Sequence, residues 1–192
     1  MDSTTAYEKF ANHFLQGRDQ SLIGSKIVLQ WAKTLPRKAE VIEVACGGGY
    51  PITKSLMETG LKIWAIDSSE TLIREFQSRF PDVPAKCEKV QDSDFFGKTF
   101  DAAIAIGFVF LLSEHEQAIV INRISNILRP GGNFLFTAPV ETGSWQDMNT
   151  GINCISLGYE KYAELLKKSG FRIKSTFEDK GKNNYYEAER LS

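Results

Sequence analysis

Strand-like apolar runs alternate with segments of helical periodicity along most of this 192-residue chain, and that alternation leaves few folds open to it. "EVIEVA" (40–45), "LKIWAID" (61–67), "AKCEKV" (85–90), "TFDAAIAIG" (99–107) and "NFLFTAP" (133–139) are short and rich in β-formers. Between them, "ITKSLMETG", "SSETLIREFQSRFP" and "EHEQAIVINRISNILRPGG" carry apolar residues at three-to-four spacing and stop at Gly60, Pro81 and Pro130. Ser68 or Ser69 is placed to cap the second of these helices. Each crossover must be right-handed and must bury its apolar stripe, so the chain is expected to be α/β, a parallel sheet with helices on both faces. "FRIKSTFED" and "NYYEAERL", joined by the polar turn "KGKN", close the chain as an antiparallel hairpin after the helical "GYEKYAELLKKSG".

The remaining segments and the composition narrow the class. "SLIGSKIVLQWAKTLP" places Leu22, Ile23, Ile27, Val28 and Trp31 on one helical face ahead of Pro36, so a helical segment over 1–35 precedes a core over 36–192, in one domain. The stretch 140–157, "VETGSWQDMNTGINCISL", reads as the longest irregular loop and a natural carrier of binding residues. With 23 basic and 24 acidic side chains the formal net charge is −1, which offers no field for nucleic acid or for an anionic membrane. No run is long enough to span a bilayer and the start is polar, so a cytoplasmic protein is expected, as a monomer or homodimer. Cys46, Cys87 and Cys154 are widely spaced with no CxxC pair, which argues against a disulfide framework or a metal centre.

The glycines of "EVACGGGYP" (43–51) mark where a ligand would dock. Ligands of open parallel sheets sit beyond the carboxyl ends of the strands, where the first strand-to-helix turn offers backbone N–H groups at a positive helix end. Gly47, Gly48 and Gly49 occupy that turn, and Pro51 suits the first helical turn behind it. Asp67, closing the second strand, is placed to accept hydrogen bonds from both hydroxyls of a ribose, so the two features describe a nucleoside-containing cofactor. The third glycine of a dinucleotide fingerprint is missing, and no phosphate-cradling loop of the G-x-x-x-x-G-K-[ST] type exists. Glu43 is an acid inside an apolar strand, which is costly unless it meets a donor or a cation, and is expected to face the pocket.

These stretches resemble the class I S-adenosylmethionine-dependent methyltransferases. "VIEVACGGGYP" is similar to that family's first motif, with Ala45 standing where a glycine is usual; "IWAIDSS" resembles its ribose-binding motif, and "FDAAIAIG" and "LRPGGNFLFTAP" its fourth and fifth strands. The resemblance implies a Rossmann-like, doubly wound seven-stranded sheet in the order 3-2-1-4-5-7-6, with an antiparallel last strand. It further implies S-adenosyl-L-methionine as cofactor, bound by Glu43, Ala45, Gly47 and Gly49 around its amino-acid part, by Asp67 and Ser68 at the ribose, and by Gln91 or Asp92 at the adenine. Gly107 and Phe108 would lie near the methionyl end, with Tyr7 and the amino-terminal helices folded over as a lid.

The activity so implied is methyl transfer to a small-molecule acceptor by in-line displacement. Trp145, Asp147 and Asn149 of the long loop, and Tyr185 and Tyr186 of the final hairpin, would surround the acceptor beside Tyr7, with Asp147 as the candidate base. The competing readings are an NAD(P)-dependent oxidoreductase on a similar sheet and a catalytically inactive S-adenosylmethionine-binding protein, the latter suggested by Ala45.

Overall fold

The computed structural model describes residues 1–192. Three short helices, α1 (Ser3–Lys9), α2 (Ala11–Asp19) and α3 (Ser25–Ala32), lead into the alternating core: β1 (Glu40–Val44), α4 (Ile52–Met57), β2 (Lys62–Asp67), α5 (Glu70–Arg79), β3 (Ala85–Cys87), β4 (Phe100–Ala105), α6 (Glu114–Ile127) and β5 (Leu128–Thr137). A small hairpin, β6 (Thr142–Gln146) and β7 (Asn153–Leu157), precedes α7 (Tyr159–Lys168), and β8 (Phe171–Glu178) and β9 (Asn184–Arg190) end the chain. Seven strands form one sheet in the order β3-β2-β1-β4-β5-β9-β8. The strands from β3 to β5 pair in parallel, whereas β9 runs antiparallel between β5 and β8. With β8 and β9 as sixth and seventh strands, this is the expected order.

Strands covered on both faces send alternate residues to two cores. In β5, Phe134 and Phe136 pack with Val120, Ile121 and Tyr162 of α6 and α7, while Leu135 points to the opposite face with Val28, Trp31 and Phe76 of α3 and α5. Trp31 Nε1 donates to buried Asn133 at 2.9 Å, and Asn133 Nδ2 donates in turn to Glu187, so a polar bridge pins α3 to the β5–β9 pair without leaving a donor orphaned. Tyr186, expected near the acceptor, instead stacks on Phe136 at 4.9 Å and is fully buried in the core.

Two other expectations are corrected. The stretch 140–157 is not irregular: Thr142 to Gln146 pairs with Leu157 to Asn153 as a two-stranded ribbon. Helix α6 ends at Ile127, not at Pro130, because the chain enters β5 at once. Leu128 pairs with Phe100 and the register then shifts, so that Asn133 pairs with Ala102 and 129–132 form a bulge.

Packing at the turn after β1 separates the roles of its glycines. Gly49 has φ +81°, and a Cβ there would stand 2.4 Å from the Phe80 ring and 2.9 Å from Phe76, so this glycine lets α5 close on the turn. Glu43, one position before the end of β1 at Val44, is buried and accepts a hydrogen bond from Thr53 Oγ1 at 2.6 Å. Burial lifts its carboxyl to about 8, opposed by the Thr53 hydroxyl and by the nearby Arg18 charge. The folded chain thus keeps a proton that the unfolded chain releases above its ordinary value of 4.5. The stability from this group is complete below that pH and is lost as pH rises towards about 8.

Gly49→Ala is expected to lower the unfolding free energy by about 2–4 kcal/mol in urea titrations, from overpacking and a left-handed alanine together; a loss below about 1 kcal/mol would contradict the packing role. Glu43→Gln stays neutral at every pH, so its melting temperature should rise relative to the native protein between pH 5 and pH 8. A difference that does not change with pH would show that Glu43 is ionised in the folded state.

Candidate active site

Where β1 and β2 end side by side, with Val44 opposite Ile66, the chain leaves the sheet through two left-handed residues, Ala45 at φ +55° and Gly47 at φ +56°. This bend aims the Gly47 N–H at Asp67, whose Oδ2 accepts it at 2.8 Å while Oδ1 accepts from Ser69 N–H at 2.9 Å. Two carboxylate oxygens can accept about four hydrogen bonds, so Asp67 retains capacity for hydroxyls. Burial raises its pKa, partly offset by the N–H groups of Ser69, Gly47 and Ser68. Ser69 caps α5 by accepting from Leu72 N–H, which holds the positive end of that helix beside the carboxylate.

Asp67 opens on a cavity of about 640 Å³ at the carboxyl ends of the strands. That size suits a cofactor with room for a partner, since ligand pockets run from roughly 300 to 1,000 Å³. Ala45, Gly47, Asp67, Ser68, Gly107 and Phe108 line it, and Gly107 is held there by its N–H donating to Thr137 Oγ1 at 2.7 Å. A recess of about 30 Å³ shares Ala45, Asp67, Ser68 and Phe108 with the cavity walls and reaches Val90 and Gln91. Three residues expected around the cofactor lie outside both spaces. Glu43 turns to Thr53, Gly49 is covered by Phe76 and Phe80, and Asp92 is exposed on the turn after β3.

The roof of the cavity comes from elements that have no part in the main sheet. Tyr7 of α1 meets Phe14 of α2 edge to ring at 5.4 Å, and Phe14 stands 3.0 Å from where a Gly47 Cβ would be, so α2 lies directly on the glycine turn. Glu8 fastens α1 to the start of α5, accepting from Ser69 Oγ, Thr71 Oγ1 and Thr71 N–H at 2.5, 2.7 and 3.1 Å. Asp19 fastens α2 through two hydrogen bonds of 2.7 Å from Arg79. From the other side, Trp145 of β6 packs on Phe110 at 5.3 Å, and Asp147 follows it into the turn of the ribbon.

Tyr7, Trp145, Asp147 and Tyr185 all line the cavity. Asp147 Oδ2 accepts from Thr150 N–H and Oγ1 at 2.9 and 2.6 Å, so the carboxylate also shapes the turn that carries it. Burial and then the charge of Asp147 push the Tyr7 phenol upward, against a hydrogen bond with Asn149. Tyr185 OH donates to Asp179 at 2.9 Å. Sequence reading missed Phe14, Arg18, Phe110 and Thr137. Thr137 could have been found, because it ends the fifth strand beside Gly107; the two α2 residues carried no signal, since only the docking of α2 turns them inward.

Comparison with known proteins agrees with this geometry. The methyltransferase domain family model matches residues 41–132, from β1 through the bulge in β5. A probable S-adenosylmethionine-dependent methyltransferase of Mycolicibacterium smegmatis is 25% identical over 71% of this chain and 53% of its own length. The tRNA N(3)-cytidine methyltransferase of Danio rerio is 30% identical over 64% of the chain and 37% of its own length. The chain thus spans about half, or less, of these curated relatives. A crystal structure of an S-adenosylmethionine-dependent methyltransferase from Clostridium acetobutylicum superposes with a TM-score of 0.74 at 14% identity, covering 97% of this chain and 99% of the other, which is a likeness of fold. Motifs, strand order and matched residues together make the chain similar to the class I S-adenosylmethionine-dependent methyltransferases, over residues 41–132 in sequence and over the whole sheet in fold.

Proposed function

We propose that the protein transfers a methyl group from S-adenosyl-L-methionine to a small-molecule acceptor held under the α1–α2 roof. The observation that carries this reading is the buried carboxylate of Asp67, tied to Gly47 N–H and still able to accept, on the wall of a cavity large enough for cofactor and acceptor together. The residues present fit the cofactor: Asp67 and Ser68 would hold the ribose, Gln91 borders the small recess beside them on the side where the base would lie, and Ala45 and Gly47 admit a ligand to the main chain.

When bound, the cofactor supplies a methyl already activated on a sulfonium, so the protein has mainly to align the acceptor and keep water out. Tyr7, Phe110 and Trp145 present apolar ring surface to that half of the cavity, which excludes water and favours a flat or apolar acceptor. Asp147, next to them, would hold the proton that a hydroxyl or ammonium acceptor gives up. Tyr185, already committed to Asp179, would act as a wall.

A small acceptor is favoured over RNA because the entrance is roofed and the chain carries a formal net charge of −1, whereas phosphate binding rests on clustered basic side chains.

Titration calorimetry with S-adenosylhomocysteine should give binding in the micromolar range, with none for NADH. Asp67→Ala should weaken that binding at least tenfold, since a hydrogen bond to a charged acceptor contributes about 1.5–3 kcal/mol; unchanged affinity removes Asp67 from the site. Labelled methyl should pass from S-adenosyl-L-methionine to members of a small-molecule panel and not to bulk tRNA. Labelled tRNA would overturn the acceptor class, and binding with no transfer to any acceptor would mark a cofactor-binding protein.

A further inference from the structure

The chain after β3 borders the site on its base side, yet it is held from α6, largely by one side chain. Residues 88–93 follow a strand of 3 residues and belong to no helix or strand, so their main-chain carbonyls must find partners elsewhere. Arg123 of α6 serves two of them: Nε donates to Val90 O at 3.0 Å, and Nη2 donates to Ser93 O. Its guanidinium also lies 5.3 Å from the centre of the Phe95 ring, which is buried in the core. A rigid planar fork that grips two carbonyls of one turn fixes the path of the chain between them.

The residues between those grips are the ones that meet the site. Val90 and Gln91 border the small recess beside Asp67 and Ser68, whereas Arg123 lines neither the recess nor the cavity. The Val90 carbonyl and the Gln91 N–H belong to one peptide plane, so the bond to Arg123 also fixes where that N–H points. Gln91 is held from α6 a second time, its Nε2 donating to Glu116 Oε1 at 3.3 Å, and Glu116 is fixed in turn by the Ser113 cap of the same helix. At about 30 Å³ the recess has room for the edge of a ring and not for a whole one, so small shifts of this turn decide which edge fits.

We propose that Arg123 is a positioning residue for the base of the cofactor: by drawing the Val90 and Ser93 carbonyls to α6 it sets the wall at Val90 and Gln91 and thereby which purine is accepted. This rests on the methyltransferase reading given above. The ribose end is set separately, by the Asp67–Gly47 bond between β1 and β2, so the two ends of the cofactor answer to different elements.

Calorimetry with S-adenosylhomocysteine and S-inosylhomocysteine, which carries an oxo group where the first has its exocyclic amine, tests the proposal. The native protein should prefer S-adenosylhomocysteine about 10–100-fold. Arg123→Met keeps an unbranched stem against Phe95 and removes every donor; it should bind S-adenosylhomocysteine about tenfold more weakly and lose most of the preference. Arg123→Lys, with one ammonium to share between the carbonyls, should fall in between, and it carries the test should Arg123→Met fail to fold. A merely structural role would lower the melting temperature and weaken both compounds by the same factor, so an unchanged preference in the variants overturns the proposal. A native protein that binds the two compounds alike overturns it too, because the base then lies away from Val90 and Gln91, and leaves the methyltransferase reading standing. A native protein that binds neither overturns that reading and this role with it.

Discussion

The hydrogen bond from Gly47 N–H to the Asp67 carboxylate joins the carboxyl ends of two neighbouring strands, and the cavity is built outward from it. The bend that makes it possible needs left-handed backbone at Ala45 and Gly47, in a turn whose glycines answer to different neighbours. Gly47 faces the cavity beneath Phe14, Gly48 lies against Leu15, and Gly49 lies under Phe76 and Phe80. Without the bond, a buried carboxylate and a buried amide would each lose a partner, which costs several kcal/mol in a dry site. Strand order then decides what else meets there. β4 lies beside β1 and β5 beside β4, so Gly107 and Thr137 arrive at the same end of the sheet as the glycine turn.

The floor and the roof are held by different forces. Sheet hydrogen bonds and two apolar cores fix the floor, whereas α1 and α2 are fastened largely by polar side chains near the surface: Asp2 to Lys89, Glu8 to the start of α5, Asp19 to Arg79. Pairs of that kind are individually weak and screened by salt. Tyr7, Phe14 and Arg18 lie on the inner face of that roof, against the cavity.

Much of this was legible in the amino-acid sequence because strongly periodic segments leave little freedom. The apolar run of β4 and the strand-like pieces around the polar turn of the last hairpin specify strands, and apolar residues at three-to-four spacing specify α6. The ribbon β6–β7 escaped because a two-stranded element half in water has no alternating apolar face; Thr142, Gly143 and Ser144 of β6 are all exposed. The end of α6 was misplaced because proline is the strongest stop signal, yet the strand claimed Leu128 first. In the site, Asp67 and Gly47 followed from the strand-turn-helix pattern. Asp92 did not, since a short third strand leaves the register of its following turn open, and Gln91 rather than Asp92 borders the recess. Arg18 could not be read at all: in one dimension it is a basic residue on a polar helix, and only tertiary packing encloses it.

The central claim concerns where one ligand sits, and a crystal structure grown with S-adenosylhomocysteine tests it most directly. The ribose hydroxyls should lie within hydrogen-bonding distance of Asp67, with the sulfur directed at the space between Tyr7, Trp145 and Asp147. A ligand bound elsewhere, or an Asp67 carboxylate turned away from the ribose, would contradict it.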